Sequence, residues 1–260
     1  MPVSFQSYIG VEVSPDKDYP FTFALMDDEL TIRSIGRGDL SDAFSFLAGQ
    51  DSALAAVNTP SATNKGIIKR EEIRRQLTPK SHLARWANLR LVEYELAERG
   101  ISVTKTPDSK KNIPKWMALG FQFFKELENI DFEPYPSLIA PKQFFESHGE
   151  ACFWNLLRHA PLEKGTLEGC LQRQVVLRMC GVNIPDAMHF FREITQHRLL
   201  SSQLPVDDIY TNPELNAIAS GFTAWLAVNH PEKTVKAGHA EEGFVFLPNV
   251  NIHDDRTSLP

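Results

Sequence analysis

Three apolar runs crowd the first 35 residues, and the connections between them are too short to hold a helix. They are Tyr8-Ile9-Gly10-Val11-Glu12-Val13, Phe21-Thr22-Phe23-Ala24-Leu25-Met26 and Leu30-Thr31-Ile32-Arg33-Ser34-Ile35. Parallel pairing needs a long crossover, so these runs pair as an antiparallel meander. Asp39 then caps a helix through about Leu47, with Leu40, Ala43, Phe44 and Leu47 at helical spacing. Ala53-Leu54-Ala55-Ala56-Val57 is a small-residue strand that ends at Asn58-Thr59-Pro60, where proline stops the ladder. The order strand, strand, strand, helix, strand predicts an α/β fold whose mixed sheet begins antiparallel and continues parallel.

Further along, residues 61–80 read as a basic loop with a partial helix, and Ser81 to Arg99 as a helix closed by Gly100. Ile101–Thr104 reads as a short strand, Pro114–Leu127 as an aromatic helix and Gln143–Ser147 as a strand. Helices are expected near 150–158, 166–180 and 186–198. The last helix takes Asn212 as N-cap and Pro213 as first residue. Gly243–Leu247 reads as an edge strand, followed by a polar tail over 249–260. The whole is one domain with helical insertions over about 61–130 and 150–210.

A net charge of −6 argues against a protein that coats nucleic acid through a general basic face, and leaves room for a local basic groove. The three cysteines have no CxxC spacing, which fits a reducing compartment. No signal sequence or membrane-length apolar run is present, so the expectation is a cytoplasmic protein without a membrane partner.

Glu12 interrupts the first strand. Strand alternation puts Ile9, Val11 and Val13 on one face and Gly10, Glu12 and Ser14 on the other. A buried carboxylate needs a cation or hydrogen bonds, so such a residue often belongs to a metal or catalytic site. The competing reading is that Glu12 lies near the strand end and reaches water. Asn58 ends the fourth strand, and Asn216 sits beside Ala219, Ser220 and Thr223, a small-residue helix face suited to close approach to a sheet. Glu146 ends another strand, Glu93 lies on a helix at the edge of its apolar stripe, and His148 follows Glu146 closely. Together they suggest oxygen ligands converging at the open end of one sheet, with His148 for proton transfer. Such ligands suit Mg²⁺ or Mn²⁺ rather than zinc. Two such ions about 4 Å apart activate water in phosphodiester hydrolysis. Asn58 is also a good turn residue, Asn216 a good partner for a neighbouring backbone, and Glu93 a residue for a solvated helix edge.

Several stretches then resemble a known family. These are Ile9-Gly10-Val11-Glu12, Ala56-Val57-Asn58-Thr59-Pro60, Arg90-Leu91-Val92-Glu93 with Arg99-Gly100-Ile101, and Glu146-Ser147-His148-Gly149-Glu150-Ala151. Thr166-Leu167-Glu168-Gly169 with Arg173 continues the series. The most specific is Glu214-Leu215-Asn216-Ala217-Ile218, running through Ala224-Trp225-Leu226-Ala227 to Glu241-Glu242-Gly243 and Pro248. In order and spacing the chain resembles, from about residue 7 to 248, the predicted-nuclease family of unknown function called the four-twenty-nine DUF family. The resemblance implies a ribonuclease H-like fold and Mg²⁺- or Mn²⁺-dependent hydrolysis of nucleic-acid phosphodiesters, with Glu12, Asn58, Glu146 and Asn216 at the metal positions. The family's acids are replaced here by Glu12, Asn58 and Asn216, one acid longer by a methylene and two amides. An amide offers a neutral oxygen but no charge to offset the repulsion between two cations. A degenerate metal centre is therefore expected.

A different class also fits: a non-catalytic binding or scaffold protein on the same fold. Lys65, Lys69, Arg70, Arg74 and Arg75 follow the Asn58 strand. Lys110, Lys111 and Lys115 precede Trp116, Phe121, Phe123 and Phe124. Basic residues interleaved with aromatics hold single strands by phosphate contact and base stacking. The alternative is a solvated charged loop over a core aromatic helix. An actin-like ATPase is set aside, since Gly10-Val11-Glu12-Val13-Ser14-Pro15 lacks a glycine-rich phosphate loop.

Overall fold

The computed structural model describes residues 4–77, 87–250 and 252, with the side chains of Lys110 and His197 excepted. The meander forms as expected: β1 (Ser7–Val13), β2 (Phe21–Met26) and β3 (Ile32–Gly38) pair antiparallel. Helix α1 (Leu40–Ala48) follows, opened by a capping box in which Asp39 accepts from the Asp42 N–H and Asp42 answers. Strand β4 (Ala53–Asn58) returns parallel to β1. After α2 (Glu71–Gln76), α3 (Leu91–Glu98), α4 (Lys115–Asn129) and the two-residue β5 (Glu133–Pro134) comes β6 (Lys142–Glu146), parallel to β4. Helices α5 (Gly149–Leu157), α6 (Leu167–Met179), α7 (His189–Glu193), α8 (Gln196–Leu200) and α9 (Asn212–Asn229) lead to β7 (Thr234–His239) and β8 (Gly243–Pro248).

The sheet order is β3-β2-β1-β4-β6-β8-β7, with β5 also pairing β6. This antiparallel meander continued by parallel strands, flanked by helices, is an α/β arrangement consistent with a ribonuclease H-like fold. One sheet face packs Ile9, Val11, Val13, Phe21 and Val57 against Ala43 and Leu47 of α1 and Phe123, Phe124 and Leu127 of α4. The other packs Tyr8, Met26, Leu54, Ala56 and Phe145 against α9, α5 and α6. Strand alternation thus divides β1 as its sequence requires. Helix α9 reaches β1 closely because Gly10 has no side chain: a Cβ there would lie 1.7 Å from the Ala217 carbonyl oxygen.

Several expectations are corrected. Residues 81–86 of the expected Ser81–Arg99 helix lie outside the described residues, and the helix starts at Leu91. Among the described residues Ile101–Thr104 pairs with no strand, and Ile101 instead packs into the core. The 186–198 helix is two short helices, because the backbone turns extended at Ile194. The N-cap of α9 is Thr211, not Asn212: Thr211 and Glu214 form a capping box, which shifts proline to the second helical position. Gly243–Pro248 is interior, since β7, missed in the sequence, covers its outer edge. The expected polar tail also places Val250 and Ile252 in the core. Among the described residues, no helix is long and apolar enough to cross a membrane.

Candidate functional site at the end of the first strand

Parallel pairing of β1 with β4 makes Glu12 and Asn58 direct register partners. The close approach at Gly10 brings Asn216, one residue before Ala217, onto the same carboxylate. Asn58 donates its Nδ2 to Glu12 Oε2, and Asn216 donates its Nδ2 to Oε1 at 3.2 Å. Gly149 is also constrained here. A Cβ at that position would sit 2.6 Å from Asn216 Cγ, so a small residue lets α5 close over the asparagine.

All six candidate residues, Glu12, Asn58, Glu93, Glu146, His148 and Asn216, line one cavity of about 480 Å³. Arg90, Trp116, Glu150 and Lys164 line it too. Convergence does not give them a common chemistry, because most are already engaged. Glu146 accepts from Arg90 Nη1 at 2.6 Å and Nη2 at 2.9 Å, and from the Ser61 N–H and Oγ at 2.9 Å each. Both ion-pair partners are buried. Glu150 pairs with the buried Arg173 at 2.9 Å. Glu93 is 5% exposed rather than on a solvated helix edge. It accepts from the Arg90 N–H at 3.0 Å and from the Thr106 N–H and Oγ1. Burial pushes its carboxyl above the ordinary range, and those hydrogen bonds work against the rise. His148 caps α5, its Nδ1 accepting from the Ala151 N–H at 3.2 Å. Burial lowers its pKa, which suits the neutral ring whose Nδ1 lone pair accepts that bond.

Glu12 is held differently: among the described residues, its hydrogen bonds come from two neutral amides and not from an arginine. Burial pushes its pKa up to about 7, and the two amide donors and the Lys164 charge moderate the rise. Asn216 Oδ1 is buried without a hydrogen-bond partner among the described residues. Among those residues, no group of three or more His, Cys, Asp or Glu side chains is arranged to hold a metal ion.

The most consequential residues that sequence reasoning passed over are Arg90 and Glu242. Arg90 is fully buried and also donates to the Glu242 carbonyl. The Glu242 carboxylate, equally buried, accepts from the Lys65, Ile67 and Leu91 N–H groups. Both lie in stretches that carried the family resemblance, but nothing in their spacing reveals a partner more than a hundred residues away.

The basic candidates separate into two sets. Arg70 is bound to Glu241 at 2.5 and 2.7 Å, and Arg75 to Glu71 one turn away. Lys65 and Lys69 line a second cleft. Lys111 is exposed, and the side chain of Lys110 lies outside the described residues. Phe123 and Phe124 are core residues of α4 and offer no stacking surface, whereas Trp116 faces the main cavity. Phe123 and Phe124 thus place the aromatic helix in the core.

No family model matches the chain, and neither the curated proteins nor the solved structures give a match.

Proposed function

We propose that this protein is a nuclease-type ribonuclease H-like protein whose metal centre has lost its function, and that it engages nucleic-acid phosphodiesters by binding rather than by two-metal hydrolysis. The observation that supports this is the Glu12 clamp. At the register position where a second acid would stand, Asn58 turns an N–H donor toward the carboxylate, and Asn216 does the same from α9. The donor set does not fit two divalent cations. Hard cations need converging oxygens and negative charge. Here Glu146 is neutralised by Arg90, Glu150 by Arg173, and the amides spend their donors on Glu12.

The test is isothermal titration of Mn²⁺ together with cleavage of a mixed DNA and RNA oligonucleotide pool. Wild-type protein is expected to leave the pool intact and to bind Mn²⁺ weakly. The Asn58→Asp/Asn216→Asp variant, with three carboxylates facing one another, is expected to bind Mn²⁺ at least about tenfold more tightly, because affinity follows ligand charge. Wild-type, Mn²⁺-dependent cleavage that disappears in Glu12→Gln would overturn the reading and make the amide-bearing site a working catalyst.

A further inference from the structure

A second cleft, also about 480 Å³, lies apart from the Glu12 cavity and shares none of its lining residues. Two chain segments furnish its charges: Lys65 and Lys69 from the turn after β4, and Lys105 from the segment after α3. Asp108 is the carboxylate in that lining, so among the described residues it carries three ammonium groups against one acid. The amides of Asn64 and Asn88 supply neutral polar groups to the same wall.

The cleft is built rather than a chance gathering of surface lysines. Asn64 is 6% exposed and donates to the Asn88 carbonyl at 2.8 Å, while its Oδ1 accepts from the Gly66 N–H at 2.7 Å. The Asn64 N–H donates to the Pro107 carbonyl at 3.2 Å, which joins the two lysine-bearing segments. The Lys65 and Ile67 N–H groups are fixed by the buried carboxylate of Glu242. The backbone under the lysines is thus pinned, while the lysine side chains themselves are exposed. Neighbouring Arg70, held by Glu241, adds no free charge. A flexible ammonium is a point-charge partner for phosphate, and three on a fixed frame present a site for an oxyanion.

We propose that the Lys65/Lys69/Lys105 cleft binds phosphate oxygens of a single-stranded oligonucleotide. This assignment rests on the nucleic-acid reading above, and it places the anchoring charge outside the Glu12 cavity. The hydrogen-bond chain from the Lys65 N–H through Glu242 and Arg90 to Glu146 joins the two sites mechanically.

The experiment is fluorescence anisotropy with a labelled single-stranded oligonucleotide across a salt series, in the absence of divalent ions, with inorganic phosphate as competitor. Wild type, Lys65→Gln/Lys69→Gln/Lys105→Gln and a Lys17→Gln/Lys125→Gln control are compared. The three exposed cleft lysines are neutralised without touching the core. The expected result is salt-sensitive binding to wild type and control, at least about tenfold weaker binding to the triple variant, and a log-log salt slope reduced by about two. Inorganic phosphate is expected to compete only at concentrations far above those of the oligonucleotide. Equal binding by the triple variant and the control would overturn the assignment, as would no binding to wild type. Tight binding of inorganic phosphate without oligonucleotide binding would overturn it in favour of a small phosphorylated ligand. None of these outcomes depends on Mn²⁺, so failure of the cleft and failure of the impaired-centre reading are told apart by the cleavage assay.

Discussion

At the scale of single residues, Glu12 is the group whose chemistry is most altered by the fold. Its ordinary pKa of 4.5 rises to about 7 because burial removes water from the carboxylate, while Asn58, Asn216 and Lys164 restore only part of the lost solvation. The folded state therefore holds this proton more tightly than the unfolded chain. Below about pH 4.5 both states are protonated and Glu12 costs nothing. As pH rises from there to about 7, the unfolded chain releases the proton first and stability falls; above that range the loss is complete. Glu12→Gln removes this titration. The variant is expected to match wild type at about pH 4 and to exceed it by about 1–3 kcal/mol at about pH 8, a range that allows for partial solvation in the cavity. Urea unfolding at several pH values checks it. A wild type that gains on the variant as pH rises would mean that the amides overcompensate burial.

Among the elements, the contact of α9 with β1 decides where the site lies. Helix α9 is buried all round from Leu215 to Ala227, packed between the sheet and other helices, with Asn216, Ser220 and Thr223 as its buried polar groups. Its backbone passes so close to the strand that Gly10 and Gly221 face each other, and a Cβ at Gly221 would also meet the Gly10 nitrogen at 3.1 Å. Gly10→Ala is expected to cost at least the upper end of the 1–3 kcal/mol range for overpacking, since backbone rather than a pliable side chain is in the way. The same shift should loosen the Asn216–Glu12 bond. The measurement is thermal unfolding, with Gly165→Ala as a comparison: there the Cβ meets nothing within 4 Å, and the penalty comes from positive φ alone. A smaller loss for Gly10→Ala than for Gly165→Ala would show that the approach is looser than described.

Across the whole molecule, a buried charge network fastens the turn after β4 and the start of α3 onto the end of the sheet. Arg90 ties β6 through Glu146 to the β7–β8 turn through the Glu242 carbonyl, and Glu242 ties the turn after β4 to the start of α3. Removing one partner leaves an uncompensated buried charge, so Arg90→Met is expected to cost about 3–5 kcal/mol. Arg90→Met/Glu146→Leu is expected to cost less than the sum of the single losses, because the second change removes the stranded carboxylate. Urea denaturation of the four proteins of the cycle measures the coupling. Additive losses would mean that Arg90 acts through Glu242 and packing rather than through Glu146.

Local pattern was enough to read the meander, the Asp39-capped helix and the parallel return of β4. Apolar alternation, turn residues and connection length act within a few residues of one another. The same alternation placed Glu12 opposite Ile9, Val11 and Val13, and register then set Asn58 beside it. Edge order was not legible: β7 carries a lysine, a histidine and only half-buried valine, and no local signal says that it covers β8. Nor was the state of the carboxylates. Whether an acid is a free ligand, a cap or half of an ion pair depends on what faces it. Arg90 and Glu146 meet across 56 positions, and Glu242 meets Lys65 across 177. Sequence determined which residues would gather at the end of β1. Only the tertiary structure decided that Glu146 is spent on Arg90 and that Glu12 is left to two amides, because the pairing of charges is settled by packing at long range.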